Sequence, residues 1–296
     1  MSKLICILGN RGQLATALRI LSGKIGLDVV CIGRAECDLN DVSRLMPTLE
    51  SLKPAGIINA AAFTDVELAE RTLWPAMNVN AIAVRTAAEY CLSHDIPLVQ
   101  ISTDYTYDGQ KGSPYVEGDP CRPLNVYGYS KLAGDHALLE SEVRGTILRT
   151  SWVFSPYNRN FVNTMTNLAL SRDLVRVVDD QRGNPTDARD LASAAVAVLQ
   201  ELFQGNALPR LLHFGGEPSV SWADLAEATF QAVETYAGSR PKLERISSAE
   251  FPSKVLRPMD SRLNTSLFSG LGLGVTQDWE KSIDGCVKEI LRSRQS

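Results

Sequence analysis

Tyr127 and Lys131 stand four residues apart in the run Tyr127-Gly128-Tyr129-Ser130-Lys131. On a helix that spacing brings both side chains to one face. An ammonium beside a phenol favours the phenolate and lowers the phenol's pKa. Such a pair can protonate a carbonyl oxygen as hydride arrives, with Tyr127 as general acid. The spacing is common by chance, so its surroundings must support it. They do: Ser102-Thr103-Asp104 closes an apolar run, and the carboxyl ends of strands in α/β sheets face ligands. Thr103 alone would read as a strand-end cap; ahead of the Tyr/Lys pair, its hydroxyl is placed to bind the substrate oxygen. Thr103, Tyr127 and Lys131 are therefore the candidate catalytic residues.

A hydride needs a carrier, and the N-terminus has a place for one. Gly9-Asn10-Arg11-Gly12-Gln13-Leu14-Ala15 follows the first apolar run and opens the first helical pattern. Gly9 permits a sharp turn, Gly12 lets a phosphate approach the backbone, and Ala15 is small enough for helix–strand packing. The free N–H groups of a helix N-terminus then face a pyrophosphate. An NAD site usually places a carboxylate at the end of the second strand. Here that strand ends Cys31-Ile32-Gly33-Arg34. Arg34, helped by Arg11, can pair with a 2′-phosphate through its fork of donors, so NADPH is the expected cofactor, with NADH as the lesser choice. Asp38 and Leu39 are expected to border the adenine.

The elements that must position these residues follow from periodicity. Strands are expected at Leu4–Leu8, Val29–Ile32, Ile57–Ile58, Pro97–Ser102 and Thr146–Arg149, with helices at Gln13–Leu21, Val42–Leu52, Ala76–His94 and Tyr127–Glu140. Apolar strands without alternation are buried on both faces, which means a parallel sheet between helices. The expected fold is a Rossmann-type, doubly wound α/β sheet with a smaller C-terminal α/β substrate lobe. The loop Asp104–Val126 is long enough to be functional. Phe161–Leu170 reads as a helix, Val175–Val178 as a strand, Leu191–Phe203 as a helix and Trp279–Leu291 as a closing amphipathic helix. Residues 1–155, with 173–213 returning, are assigned to the dinucleotide domain. Residues 156–172 and 214–278 are assigned to the lobe, and 279–296 to the closing helix.

Composition removes several function classes. The chain has 296 residues, 44% hydrophobic and 22% charged, with a net charge of -4. No basic stripe supports nucleic-acid binding. No apolar run is long enough to span a membrane, and the N-terminal one is too short for a signal peptide. The 6 cysteines form no C-x-x-C pair, a pattern suited to a reducing cytosol. The 3 histidines are far apart and make no metal pattern; no metal is expected.

With these residues in view, the chain resembles the dTDP-4-dehydrorhamnose reductase family of extended short-chain dehydrogenases, over about residues 3–292. The segments GNRGQL, NAAAFTDVELAE, ISTDYTYDG, PLNVYGYSKLAGD, LRTSWVF, NFVNTM, DDQRGNPT and, near Pro258, SRLNT carry the resemblance. It implies that Tyr127 protonates O4 of the sugar as NADPH reduces C4, and that Lys131 also holds the nicotinamide ribose. It implies that Ala60, Ala61 and Ala62 border the cofactor. Asp104, Tyr105 and Trp152 would contact the sugar, Asn160 and Phe161 the nucleotide half. Arg257 and Arg262 would serve the pyrophosphate or lobe packing. The implied substrate is dTDP-4-dehydro-L-rhamnose and the product dTDP-L-rhamnose, a precursor of surface polysaccharide.

This sequence departs from the family at Ala15 and at Tyr107, where phenylalanine is usual and the extra hydroxyl is expected near the pocket. Some dimeric members are thought to share a metal bound by interface glutamates; the corresponding places here are Ala17 and Arg189, so that metal is not carried over. Monomer and homodimer both stay open. Rival readings are a related 4-ketoreductase giving 6-deoxytalose, a 4-epimerase or 4,6-dehydratase, and a non-enzymatic regulatory subunit of methionine adenosyltransferase. A dehydratase would carry Asp-Glu after the threonine, where this chain has Asp104-Tyr105. The run Thr150-Ser151-Trp152 matches the reductases rather than the regulatory subunit.

Overall fold

Short apolar runs and amphipathic helices alternate through the first half of the chain, and the runs become strands, buried throughout in the first and half-buried in the second. The computed structural model describes residues 3–251, 254–275 and 278–294. Strand β1 (Ile5–Leu8) is buried at every position. Helix α1 (Gln13–Ile25) buries Leu14, Ala15, Ala17 and Leu18 and ends at Gly26, whose left-handed conformation (φ 69) caps it. Then come β2 (Val29–Ile32), α2 (Leu45–Leu52) and β3 (Gly56–Asn59). Helices α3 (Val66–Ala69), α4 (Leu73–Met77) and α5 (Ala83–Ser93) precede β4 (Leu98–Thr103). Helix α6 (Val126–Leu139) and β5 (Gly145–Thr150) complete this half.

The helix expected over Ala76–His94 is real but not regular. A π-turn over Asn78–Ile82 joins α4 to α5. Helix α6 lies so close that a Cβ on Gly134 would fall 2.1 Å from the Asn80 carbonyl oxygen. Buried Asn80 bonds on both sides: Oδ1 accepts from Phe63 N at 2.8 Å, and Nδ2 donates to Ser130 Oγ at 2.9 Å.

Beyond β5, the chain forms β6 (Val153–Phe154), α7 (Phe161–Ala169), β7 (Leu174–Val178), β8 (Arg182–Gly183) and β9 (Thr186–Asp187). Helix α8 (Ala188–Phe203), β10 (Leu211–His213), β11 (Val220–Ser221), α9 (Trp222–Ala237) and β12 (Lys242–Ile246) follow. Short helix α10 (Ser266–Gly270) and α11 (Trp279–Arg292) close the described chain. The central sheet has six strands in the order β10-β5-β4-β3-β1-β2, all parallel. Helices α1 and α8 pack one face, and α2 and α5 the other. The chain steps from β1 outward to β2, then back to β3 on the other side. A ligand crevice is expected at the carboxyl ends beside that switch.

The expected domain boundaries need three corrections. Strand β7 does not return to the dinucleotide domain; it pairs with β12 and joins a third apolar cluster with α7 and α9. The return begins instead at α8, whose apolar face packs on the main sheet. Helix α11 sits inside that third cluster through Trp279, Ile283 and Val287 rather than outside it; residues 295 and 296 of the expected closing helix lie outside the described residues. Phe268 of α10 packs edge-on against Phe214 at 4.8 Å, in the core of the main sheet rather than the lobe.

The long loop after β4 is fastened down. Tyr115 N donates to Arg262 O and Asn264 N to Tyr115 O, both at 2.7 Å. Gly109 (φ +74) lets the loop lie against the 258–259 backbone, where a Cβ would fall 2.6 Å from Met259 N.

Candidate active site

Strands β4 and β5 end side by side, with Thr103 in register with Thr150. After Thr103 the chain turns sharply, and the Thr103 hydroxyl accepts from Tyr105 N at 3.2 Å while donating to Asp104 Oδ1 at 3.1 Å. Helix α6 begins where Asn125 Oδ1 accepts from Gly128 N at 2.8 Å. Gly128 has no side chain for a clear reason: its Cβ would sit 2.3 Å from the Tyr105 carbonyl oxygen. That contact seats the first turn of α6 on the Asp104–Thr106 turn and brings Tyr127 beside Thr103. The rings of Tyr105 and Tyr127 meet edge-on at 5.6 Å.

Burial pushes the Tyr127 phenol up, against the neighbouring Thr103 hydroxyl, and the negative charge of Asp104, Tyr105 and Asp135 would push the same way. Burial outweighs whatever lowering a nearby ammonium supplies; Lys131 Nζ donates to Ile101 O at 2.6 Å. Burial lowers the Lys131 ammonium to about 8, opposed by Asp135 one turn along. Asp135 is itself paired with buried Arg149 at 2.9 Å. The phenol thus stands protonated, the form a general acid requires.

The other end of the cleft suits a dinucleotide. Gly9 has φ +110, and a Cβ there would lie 3.3 Å from Ala61 N, so the β1 and β3 loops touch through it. A Cβ on Gly12 would meet nothing within 4 Å, and no side chain caps the N-terminus of α1. Its N–H groups are open to an anion. Arg11 and Arg34 are exposed at the rim, with Asp38 and Leu39 beside them. Glu36 Oε2 accepts from Gly33 N at 2.8 Å, so the carboxylate nearest the second strand's end is already hydrogen-bonded.

A single cleft of about 920 Å³ joins the two ends. It is lined by Gly9 to Leu14, Arg34, Asp38, Leu39, Ala60 to Ala62, Thr103, Asp104, Tyr105, Tyr127, Lys131, Trp152 and Arg257. Ser102 Oγ and Thr150 Oγ1, of residues that line it, are buried without a hydrogen-bond partner among the described residues. Buried polar atoms left so are where a polar ligand gains most. Burial raises the Asp104 carboxyl to about 7, although the Ser261 and Thr103 hydroxyls oppose the rise.

Asn160, Phe161 and Arg262 do not line this cleft, and each has another role. Asn160 caps α7 through Asn163 N at 3.0 Å and donates to Ser155 O at 2.8 Å. Phe161 packs on Trp222 at 4.5 Å. Arg262 is held by Asp260 at 2.6 Å and donates to Gly112 O at 3.3 Å, so its charge serves loop packing. Arg257 does face the cleft, donating to the Tyr105 hydroxyl at 3.4 Å. The Tyr107 hydroxyl, expected near the pocket, is buried between Arg149 and His213, 2.9 Å from each. At the two positions weighed for a shared metal, Ala17 is buried in the core. Arg189 pairs with Asp187 and lies 3.8 Å from Glu289. A guanidinium and a methyl group do not fit a cation.

Sequence reasoning missed Trp222, which lines the cleft beside Trp152, and Asn80, which ties the 60–64 loop to α6. Trp222 directly follows a Ser221/Asp224 capping box, a pattern visible in sequence. Asn80 sat unremarked in an alanine-rich helix.

The RmlD substrate binding domain family model matches residues 2–292. A curated dTDP-4-dehydrorhamnose reductase of Aggregatibacter actinomycetemcomitans is 36% identical over 288 residues, 96% of this chain and 97% of that protein. One from Sinorhizobium fredii is 35% identical over 290 residues, 97% of each. The crystal structure of the Bacillus anthracis str. Ames dTDP-4-dehydrorhamnose reductase in complex with NADP superposes with a TM-score of 0.89 at 29% identity, covering 98% of this chain and 100% of that one.

Proposed function

This chain belongs to the dTDP-4-dehydrorhamnose reductase family, and we propose that it reduces the 4-keto group of dTDP-4-dehydro-L-rhamnose with NADPH, giving dTDP-L-rhamnose. The observation that supports this best is the junction of Thr103, Tyr127 and Lys131 with an open α1 N-terminus in one cleft. The uncapped N–H groups after Gly12 would hold the pyrophosphate, and Arg34 with Arg11 the 2′-phosphate. Lys131, freed from Ile101 O or sharing it, would bind the nicotinamide ribose. NADPH, when bound, supplies the hydride.

The chain's own residues do the rest. The Thr103 hydroxyl orients the keto oxygen toward Tyr127. Tyr127 delivers its proton to that oxygen, and the Lys131 ammonium stabilises the phenolate left behind. Asp104, Tyr105 and Trp152 hold the sugar, and Arg257 reaches toward the nucleotide. With free cysteines throughout and no helix among the described residues long and apolar enough to cross a membrane, we place the enzyme in the cytoplasm.

The test follows NADPH absorbance after addition of dTDP-4-dehydro-L-rhamnose, with NADH in parallel. Oxidation of NADPH with a rhamnose product supports the reading; a 6-deoxytalose product keeps the reductase and changes its stereochemistry. No oxidation with either cofactor refutes it.

A further inference from the structure

Trp152 adopts a left-handed backbone (φ 46), a conformation that costs a bulky residue energy unless its surroundings hold it. The surroundings are visible. A Cβ on Gly183 would fall 2.4 Å from Cε2, 2.6 Å from Nε1 and 2.8 Å from Cζ2 of Trp152. Those three distances place the glycine against a face of the indole rather than its edge. Trp222 covers the other face, with ring centroids 3.6 Å apart and planes 8° from parallel. Phe161 backs Trp222 in turn at 4.5 Å.

The two sides of this sandwich are built together. Strands β8 and β11 pair antiparallel with Gly183 opposite Val220, two residues before Trp222. Ser221 is fixed by its capping box and by donating to Asp179 Oδ1 at 2.6 Å. Both faces of Trp152 are therefore covered, while Phe161 meets Trp222 at a 44° tilt. The Trp152 edge is left for the cleft, which both tryptophans line.

We propose that Trp222 is a positioning residue for the sugar end of the substrate: with Gly183 it clamps Trp152, so that the indole edge, two residues past Thr150, sets one wall of the keto-sugar subsite. This rests on the reductase reading for the identity of the sugar. Val153 and Ser155, just past Trp152, bond to Gln13 of the glycine loop, but that tie runs through their own atoms and not through the indole sandwich, so the sugar KM is the constant expected to move.

Two substitutions attack the sandwich from opposite faces. Gly183→Ala adds a methyl group that displaces the indole, at a position where φ is not left-handed. Trp222→Ala removes the other plate, and Trp222→Phe restores a ring in part. A close parallel indole pair gives an exciton couplet in circular dichroism, which reports the stack without turnover. In Gly183→Ala and Trp222→Ala the couplet should collapse, the KM for the sugar nucleotide should rise and kcat/KM fall roughly 10- to 100-fold, with the KM for NADPH unchanged. Trp222→Phe should fall between. A lost couplet with an unchanged sugar KM overturns the proposal, and so does an equal rise in both KM values.

If the unaltered enzyme oxidises no NADPH with this sugar, the catalytic reading fails. The clamp is then read by tryptophan fluorescence with dTDP-L-rhamnose against dTDP. Quenching by the sugar-bearing nucleotide alone, abolished in Gly183→Ala and Trp222→Ala, supports it. Equal responses to both nucleotides, or quenching that survives the substitutions, overturn it.

Discussion

Asp104 should make the fold less stable as pH rises, and its replacement by asparagine should remove that dependence. Its carboxyl is 2% exposed; Thr103 donates to one oxygen, and the Ser261 and Thr103 hydroxyls only partly offset burial. Burial raises its pKa from 3.8 to about 7. Between those values the unfolded chain has released the proton and the folded chain has kept it. Folding therefore takes up a proton, so the group's contribution is fully present below pH 3.8 and is lost as pH rises through about 7. Integrated from about pH 5 to about pH 8, the loss is about 2.5 kcal/mol, out of about 4 kcal/mol for the whole shift. Asp104→Asn has nearly the same shape and no charge at any pH. Urea unfolding of both proteins across that range isolates the effect, because other titrating groups cancel in the difference. The unaltered protein should lose about 2.5 kcal/mol relative to Asp104→Asn. Parallel stability curves would refute the reasoning and mean that the carboxylate is solvated or paired.

Three further outcomes are expected. Tyr127→Phe should lower kcat by about 10²- to 10⁴-fold with the Kd for NADPH unchanged by fluorescence titration; unaltered turnover would remove the phenol as the acid. Arg34→Ala should raise the KM for NADPH more than that for NADH in steady-state assays, and equal effects would remove Arg34 from the 2′-phosphate. Tyr107→Phe should destabilise the fold by about 1–3 kcal/mol in denaturant titrations, because Arg149 and His213 each lose a buried partner; an unchanged midpoint would contradict it.

The Tyr107 case rests on a hydrogen-bond direction that only the fold reveals. His213 Nδ1 lies 3.1 Å from the Tyr115 carbonyl, which can only accept. Nδ1 therefore carries the proton, and Nε2 accepts from the Tyr107 hydroxyl. That hydroxyl oxygen is then free to accept from Arg149 Nη1. Burial and the Arg149 charge lower His213 to about 3, so the ring stays neutral and the direction holds at working pH. A phenylalanine here would break the chain at both ends. In sequence, the same hydroxyl could only be placed near the pocket, because nothing in the run after Thr103 says that the Tyr107 ring turns into the core.

What was legible in the sequence was whatever depends on local pattern. The unalternating runs Leu4–Leu8 and Thr146–Arg149 were read as strands and hold the buried β1 and β5, and the sharp turn read at Gly9 appears as φ +110. Strand β10 escaped because three residues carry no period; it exists only because β5 offers an unpaired edge. Strand β7 was seen, but its partner β12 lies 64 or more residues later, and pairing over that distance leaves no local trace. The site divides the same way. Tyr127 and Lys131 were singled out by spacing, which puts the ammonium near the phenol and hides how deeply both are buried. Desolvation then outweighs the attraction. Phe161 was placed at the substrate and proves to support Trp222, a residue never singled out. Chemistry-bearing side chains could be named from sequence; the side chains that hold them in place required the fold, since packing partners are chosen by topology and not by spacing.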